Sequence, residues 1–186
     1  MYNRRNIFIN LYDGVPQKGL IQKNESEFYK FSVLNYSSSI KLSLVSFSGL
    51  CNMYVSTKAV NLYPDENNYN YKTGLMDNTG HITISSEDVK KYYSHCNTSN
   101  DFDSCQVYIS VKTKSSSCLY CITSSKSMDS LIMLSEGQIQ PGSVKLSEID
   151  YYYFQVVNNS DYIISSRSAN LIITSIFPSK DIEEII

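Results

Sequence analysis

The chain has 186 residues, 16 Lys and Arg against 18 Asp and Glu, a net charge of −2 and 42% apolar residues, which is the composition of one ordinary globular domain or two small ones. This excludes a basic nucleic-acid binder, since Arg4-Arg5 is the only arginine pair and no run of like charge marks a polyanion or membrane patch. No window approaches the ~18 apolar residues of a membrane span; if Met1 is a true start the opening MYNRRNIFINLYDG directs no secretion, and if the chain is a mature or excised piece the signal lay elsewhere.

Sixteen tyrosines, abundant Ser, frequent Val and Ile and little Ala favour strands over helices. The stretch YDGVPQKGLIQKNESEFYKFSV, residues 12 to 33, reads as a turn followed by an alternating strand, with Tyr29, Phe31 and Val33 on one face and Phe28, Lys30 and Ser32 on the other. Gly14 and Gly19 flank a tight excursion where a positive φ or a close backbone approach would exclude a side chain. Next, SIKLSLV sets Ile40, Leu42 and Leu44 against Lys41 and Ser43. In SSEDVKKYY, Ser85 followed by Asp88 resembles a capping box and predicts a turn or two of helix. QVYISVKT then aligns Val107, Ile109 and Val111. Each strand should have one face in a core and one in solvent, as in antiparallel sheets.

Near the far end SEGQIQPGSVKLSEIDYYYFQV, residues 135 to 156, repeats the first phrase. A shift of 123 positions pairs Leu11 with Leu134, Gly14 with Gly137, Gly19 with Gly142, Glu25 with Glu148, Tyr29 with Tyr152, Phe31 with Phe154 and Val33 with Val156, giving 13 identities over the 36 ungapped pairs from Phe8 to Ser43. Unrelated sequences would give roughly two or three. The chain is therefore read as two copies of one unit.

An apolar strand, then G-x4-G-x-[Ile/Val], an acidic residue and an aromatic-Tyr-x-Phe-x-Val strand: this order resembles the bacterial-type pre-peptidase C-terminal domain. GLCNMYVS, residues 49 to 56, lies where that family has a Gly-x-x-x-Leu-Tyr-Val-Ser-like strand, and CQVYISVKTKSSSCLYCIT, residues 105 to 123, looks like its closing Tyr-x-Ile-x-Val hairpin. The resemblance covers residues 8 to 124 as a whole unit and 131 to 178 as a partial one. It implies an all-β, jelly-roll-like antiparallel β-sandwich, complete over 1–125 and incomplete over 126–186, non-catalytic, of the kind that accompanies secreted enzymes and surface proteins. Some members bind calcium through acidic residues before the first strand. MYNRRN and SSKSMDS stand there in the two copies, so that role does not carry over.

All five cysteines lie in the first unit. Cys96 and Cys105 bracket a polar loop just before a strand, which suits a disulfide. On a strand, Cys118 and Cys121 would point to opposite faces with Cα atoms ~10 Å apart, beyond disulfide reach. Cys51 could pair with either, leaving one thiol over; the alternative is five reduced core cysteines. His95, Cys96, Cys105, Cys118 and Cys121 have the letters of a zinc site, but a zinc knuckle needs a turn where the sequence offers a strand.

No catalytic motif is present, and His81 reads as a surface or edge residue. Asp65, Glu66, Asp101 and Asp103 are weak calcium candidates in polar loops. Sequons that make glycosylation candidates fall at Asn24, Asn35, Asn97 and Asn158, with Asn35 and Asn158 at the same repeat position in an exposed turn; the alternative is that Asn and Ser stand there simply as good turn residues.

The expected function is a non-enzymatic structural or adhesive module of a secreted, cell-surface or filament-forming protein, needing no cofactor and binding a neighbouring module or a glycan. The alternatives are an intracellular scaffold subunit with reduced cysteines, or a glycan- or calcium-binding accessory domain of a larger hydrolase. Nothing in the second copy matches residues 65 to 123. Strands from outside are therefore expected to complete it, supplied by the next copy head to tail or by a longer chain, with NIFIN and DIEEII as candidate donors.

Overall fold

A computed structural model describes residues 7–33, 38–57, 60–73, 79–97, 105–126, 132–134 and 151–154. In chain order the elements are β1 (Phe8–Leu11), β2 (Gln17–Gln22), β3 (Ser26–Ser32), β4 (Ile40–Ser48), β5 (Cys51–Ser56), β6 (Tyr71–Lys72), β7 (Thr79–Ile84), α1 (Ser86–Tyr93), a 3-10 turn (Ser94–Asn97), β8 (Gln106–Thr113), β9 (Ser117–Lys126), β10 (Ile132–Met133) and β11 (Tyr152–Tyr153). One sheet has the order β1-β3-β8-β5-β6 and the other β2-β9-β4-β7.

The alternating residues form the core between them. Tyr29, Phe31 and Val33, with Met53, Val55, Val107, Ile109 and Val111, pack from the first sheet against Ile21, Ile40, Leu42, Leu44, Ile82, Ile84, Tyr120 and Ile122 of the second. The result is an all-β sandwich carrying, among the described residues, one short α-helix. Ser85 caps that helix by accepting from the Asp88 amide at 3.1 Å, acids sit in its first turn and lysines in its last, and Val89 and Tyr93, one turn apart, bury its inner face.

Both sheets are built of antiparallel pairs apart from the edge strand β1, which runs parallel to β3 with Ile9 opposite Tyr29. One expectation needs correction: β8 and β9 do not form a hairpin, since β8 pairs with β3 and β5, while β9 pairs with β2 and β4. The turn between them spends its polar groups elsewhere. The Lys114 amide donates to the Leu50 carbonyl at 3.0 Å, the Leu50 amide to Ser115 Oγ at 2.9 Å and the Lys23 amide to the Ser116 carbonyl at 2.8 Å. The connections β2–β3, β4–β5 and β8–β9 are thus arches from one sheet to the other, tied together at one end of the sandwich.

Strand β8 is also buried on the face expected to meet solvent, at Gln106, Tyr108 and Ser110. The segment around Tyr63 and Pro64 lies over it. The Ser110 hydroxyl donates to the Pro64 carbonyl, and Tyr63 stacks on Phe8 at 5.2 Å and meets the edge of Phe28 at 5.0 Å. This partly exposed aromatic patch covers the outer face of the first sheet.

Beyond Lys126, β10 pairs with β11 in parallel, Ile132 opposite Tyr152 and Met133 opposite Tyr153. Shifting Ile9↔Tyr29 and Asn10↔Lys30 by 123 positions gives these same pairs. Gly137, Gly142 and most of the second phrase lie outside the described residues.

Candidate functional site

The cysteines supply the first constraint on function. A disulfide joins Cys51 of β5 to Cys118 of β9, with Cα atoms 6.0 Å apart, and so links the two sheets. Of the two partners open to Cys51, Cys118 faces the core. Cys121 lies outside both disulfides, buried on β9 opposite Lys18, and burial raises its thiol pKa against the lowering effects of Thr123, Lys18 and the Gln17 backbone. A thiol held protonated in this way is a poor nucleophile.

The second disulfide, Cys96–Cys105, joins the 3-10 turn to the start of β8, with Cα atoms 5.7 Å apart. Of the five residues with zinc-site letters, His95, Cys96 and Cys105 come together, their donor atoms within 4.8 Å of one another. Cys118 and Cys121 are on β9 and do not belong to this group.

His81 is exposed on the edge strand β7, its Nδ1 3.1 Å from Ser43 Oγ, and partial burial of the ring lowers its pKa. Asp65 Oδ1 accepts the Asn67 and Asn68 amides at 2.9 and 3.0 Å, folding its own turn, and Glu66 lies 3.8 Å from Lys114 Nζ. Asp65 is thus tied to its own loop, whereas exposed Glu66 reaches across to the β8–β9 turn. Asp101 and Asp103 lie outside the described residues, as do Asn35 and Asn158. Asn24 is exposed at φ +67° in the turn closed by the Glu25 amide on the Gln22 carbonyl, a conformation that Asn tolerates better than most residues. Asn97 ends the 3-10 turn.

Sequence reading missed a buried cluster. The Tyr29 and Tyr120 hydroxyls are 2.8 Å apart, and both reach Glu27 Oε2, at 3.1 and 2.6 Å. Desolvation holds both phenols far above their ordinary pKa, Tyr29 by burial and Glu27, Tyr120 by burial and Tyr29. The cluster is therefore a hydrogen-bonded core network in which both phenols are held protonated. Its signal in the sequence was Gly19: a Cβ there would run into the Tyr120 ring and hydroxyl and the Glu27 carboxylate.

What the sandwich offers outward is edges. The Val33 amide donates to the Cys105 carbonyl at 2.9 Å, which turns the odd residues of β3 towards β8 and the even ones towards β1. Ile9 and Leu11 therefore carry the β1–β3 ladder, and the backbone groups of exposed Asn10 point to the far side of β1, where no strand pairs with it among the described residues. In β10 the amides of Ile132 and Leu134 bond to Tyr151 and Tyr153, whereas the intervening Met133 amide donates to the Gly14 carbonyl at 2.9 Å. Met133 holds the register slot of Asn10, so one slot of this kind is docked on a glycine turn and the other faces outward. Beside it Tyr151 and Tyr153 are 51% and 40% exposed, and Leu20 and Leu119 stand opposite each other on the outer surface of the second sheet.

No family model and no curated protein matches the chain. Among solved structures it is similar to the pre-peptidase C-terminal domain of collagenase from Bacillus anthracis, at 13% identity and a TM-score of 0.44 over 66% of this chain and 98% of that one. It is also similar to PliG of Aeromonas hydrophila, a periplasmic inhibitor of g-type lysozyme, at 12% identity and a TM-score of 0.38 over 60% of this chain and 84% of that one. The β-sandwich itself is read from the two sheets.

Proposed function

We propose that the chain is a non-enzymatic β-sandwich module of an extracellular or cell-surface protein, with two copies of one unit joined edge to turn in a structural or adhesive array. The register carries this reading: β10–β11 repeats β1–β3 at the same 123-residue offset as the sequence, and its outward amide sits on the glycine turn of the first unit. Two disulfides suit an oxidising compartment, where such bonds persist. The outward Asn10 edge is then the place where a preceding unit, in the same chain or another, would dock.

Sedimentation velocity over rising protein concentration tests this, with Asn10→Pro beside the unaltered chain. Proline at Asn10 removes only the outward amide and leaves the Ile9 and Leu11 amides to the ladder. Association that grows with concentration and is lost in the variant is expected. A chain that stays monomeric at every concentration, with the variant indistinguishable from it, would overturn edge-mediated assembly.

A further inference from the structure

We propose that His95, Cys96 and Cys105 form a Zn2+ site that the Cys96–Cys105 disulfide closes and reduction of that disulfide opens. The three donor atoms already lie within 4.8 Å of one another, with His95 Nε2 3.8 Å from Cys96 Sγ. Around tetrahedral zinc, bonds of ~2.3 Å to sulfur and ~2.0 Å to nitrogen place such donors about 3.5 to 4 Å apart. The group therefore needs only small movements, chiefly the separation of the two sulfurs.

The disulfide is not what holds these residues together. Val89 and Tyr93 anchor α1 in the core, the Tyr93 hydroxyl donates to the Gln106 carbonyl at 3.1 Å beside Cys105, and the Val33 amide donates to Cys105 itself at 2.9 Å. After reduction the two thiols would still face each other at the end of the helix. His95 is exposed, so the ion can arrive from solvent. Two thiolates and an imidazole are the soft and borderline donors zinc prefers, and water would complete the tetrahedron. In the disulfide neither sulfur has a thiolate pair to give, so the oxidised chain should bind no ion here.

The chemistry balances with a phosphine reductant: disulfide, phosphine and water give two thiols and a phosphine oxide, and zinc binding then releases the two thiol protons. The test titrates Co2+ into oxidised and phosphine-reduced protein without air, followed by Zn2+ displacement. One equivalent per chain is expected for the reduced protein alone, with the visible bands of tetrahedral cobalt and a thiolate charge-transfer band. Reduced His95→Ala should lose at least the ~10–100-fold in affinity that removal of an outer-shell partner costs, and Cys96→Ser should lose the charge-transfer intensity of one thiolate. Reduced protein with no tetrahedral spectrum, or His95→Ala with unchanged affinity and spectrum, overturns the proposal. Reduction also opens Cys51–Cys118, so circular dichroism accompanies each titration; a reduced chain that loses its β-signal and does not regain it with Zn2+ counts equally against the site.

Discussion

At the residue scale, the two glycines of the opening phrase act by different means. Gly14 adopts φ +69° and takes part in the turn that receives Met133, whereas Gly19 sits within β2 because Tyr120 and Glu27 occupy the space of a side chain. Gly19→Ala forces the buried Tyr120 ring aside, and an urea melt should show a loss of about 1–3 kcal/mol, the usual cost of overpacking. The tyrosines make a second prediction. Burial raises the phenols of Tyr29, Tyr93 and Tyr120, and burial with the Asp88 hydrogen bond pushes Tyr71 up to about 12. A raised phenol pKa favours the protonated folded state, so this stability is intact below the unfolded value near pH ~10 and falls as pH rises above it, where only the unfolded chain ionises. Each of the three buried phenols should add about 1.4 kcal/mol per pH unit to that fall. Urea melts at about pH 8 and about pH 11, with tyrosinate absorbance as the second readout, check this; stability unchanged across that range would show that the phenols ionise as freely folded as unfolded.

At the scale of elements, the arches and the inter-sheet disulfide do related work at the same end of the sandwich. Cys51–Cys118 closes 67 residues and Cys96–Cys105 only 9. On the chain-entropy account the first contributes about 4 kcal/mol and the second about 2.5 kcal/mol. Cys51→Ala with Cys118→Ala should therefore lower the denaturant midpoint more than Cys96→Ala with Cys105→Ala, and the reverse order would mean that native contacts outweigh loop closure. The strands that were legible in the sequence are those with one apolar face, such as Ile40, Leu42 and Leu44, because burial imposes a period of two. Ser85 and Asp88 were legible because capping is local. The sheet to which each strand belongs was not: hairpin and arch share the same alternation and differ only in long-range bonds such as Lys114 to Leu50. The parallel β1–β3 pair is likewise silent in a sequence pattern, and the burial of Tyr108 and Ser110 depends on Tyr63 and Pro64, more than 40 positions away.

At the scale of the whole molecule, the question is what holds β10 against β11. The two residues described on each strand cannot sustain a ladder alone, so either the first unit holds it through Gly14 or the rest of a second unit does. The matching register favours the second: Tyr152, like Tyr29, stands opposite an isoleucine 20 positions before it, and Ile132 is 7% exposed. Met133→Pro separates the two cases, because it deletes the amide that reaches Gly14 and spares the Ile132 and Leu134 amides that reach Tyr151 and Tyr153. If the second phrase forms its own unit, Ile132 and Leu134 should keep their protection in hydrogen exchange to within about tenfold, since their opening would be governed by that unit. If both amides in the variant exchange as fast as an unfolded peptide, the ladder is an appendage of the first sandwich, and the chain is one unit with a docked tail.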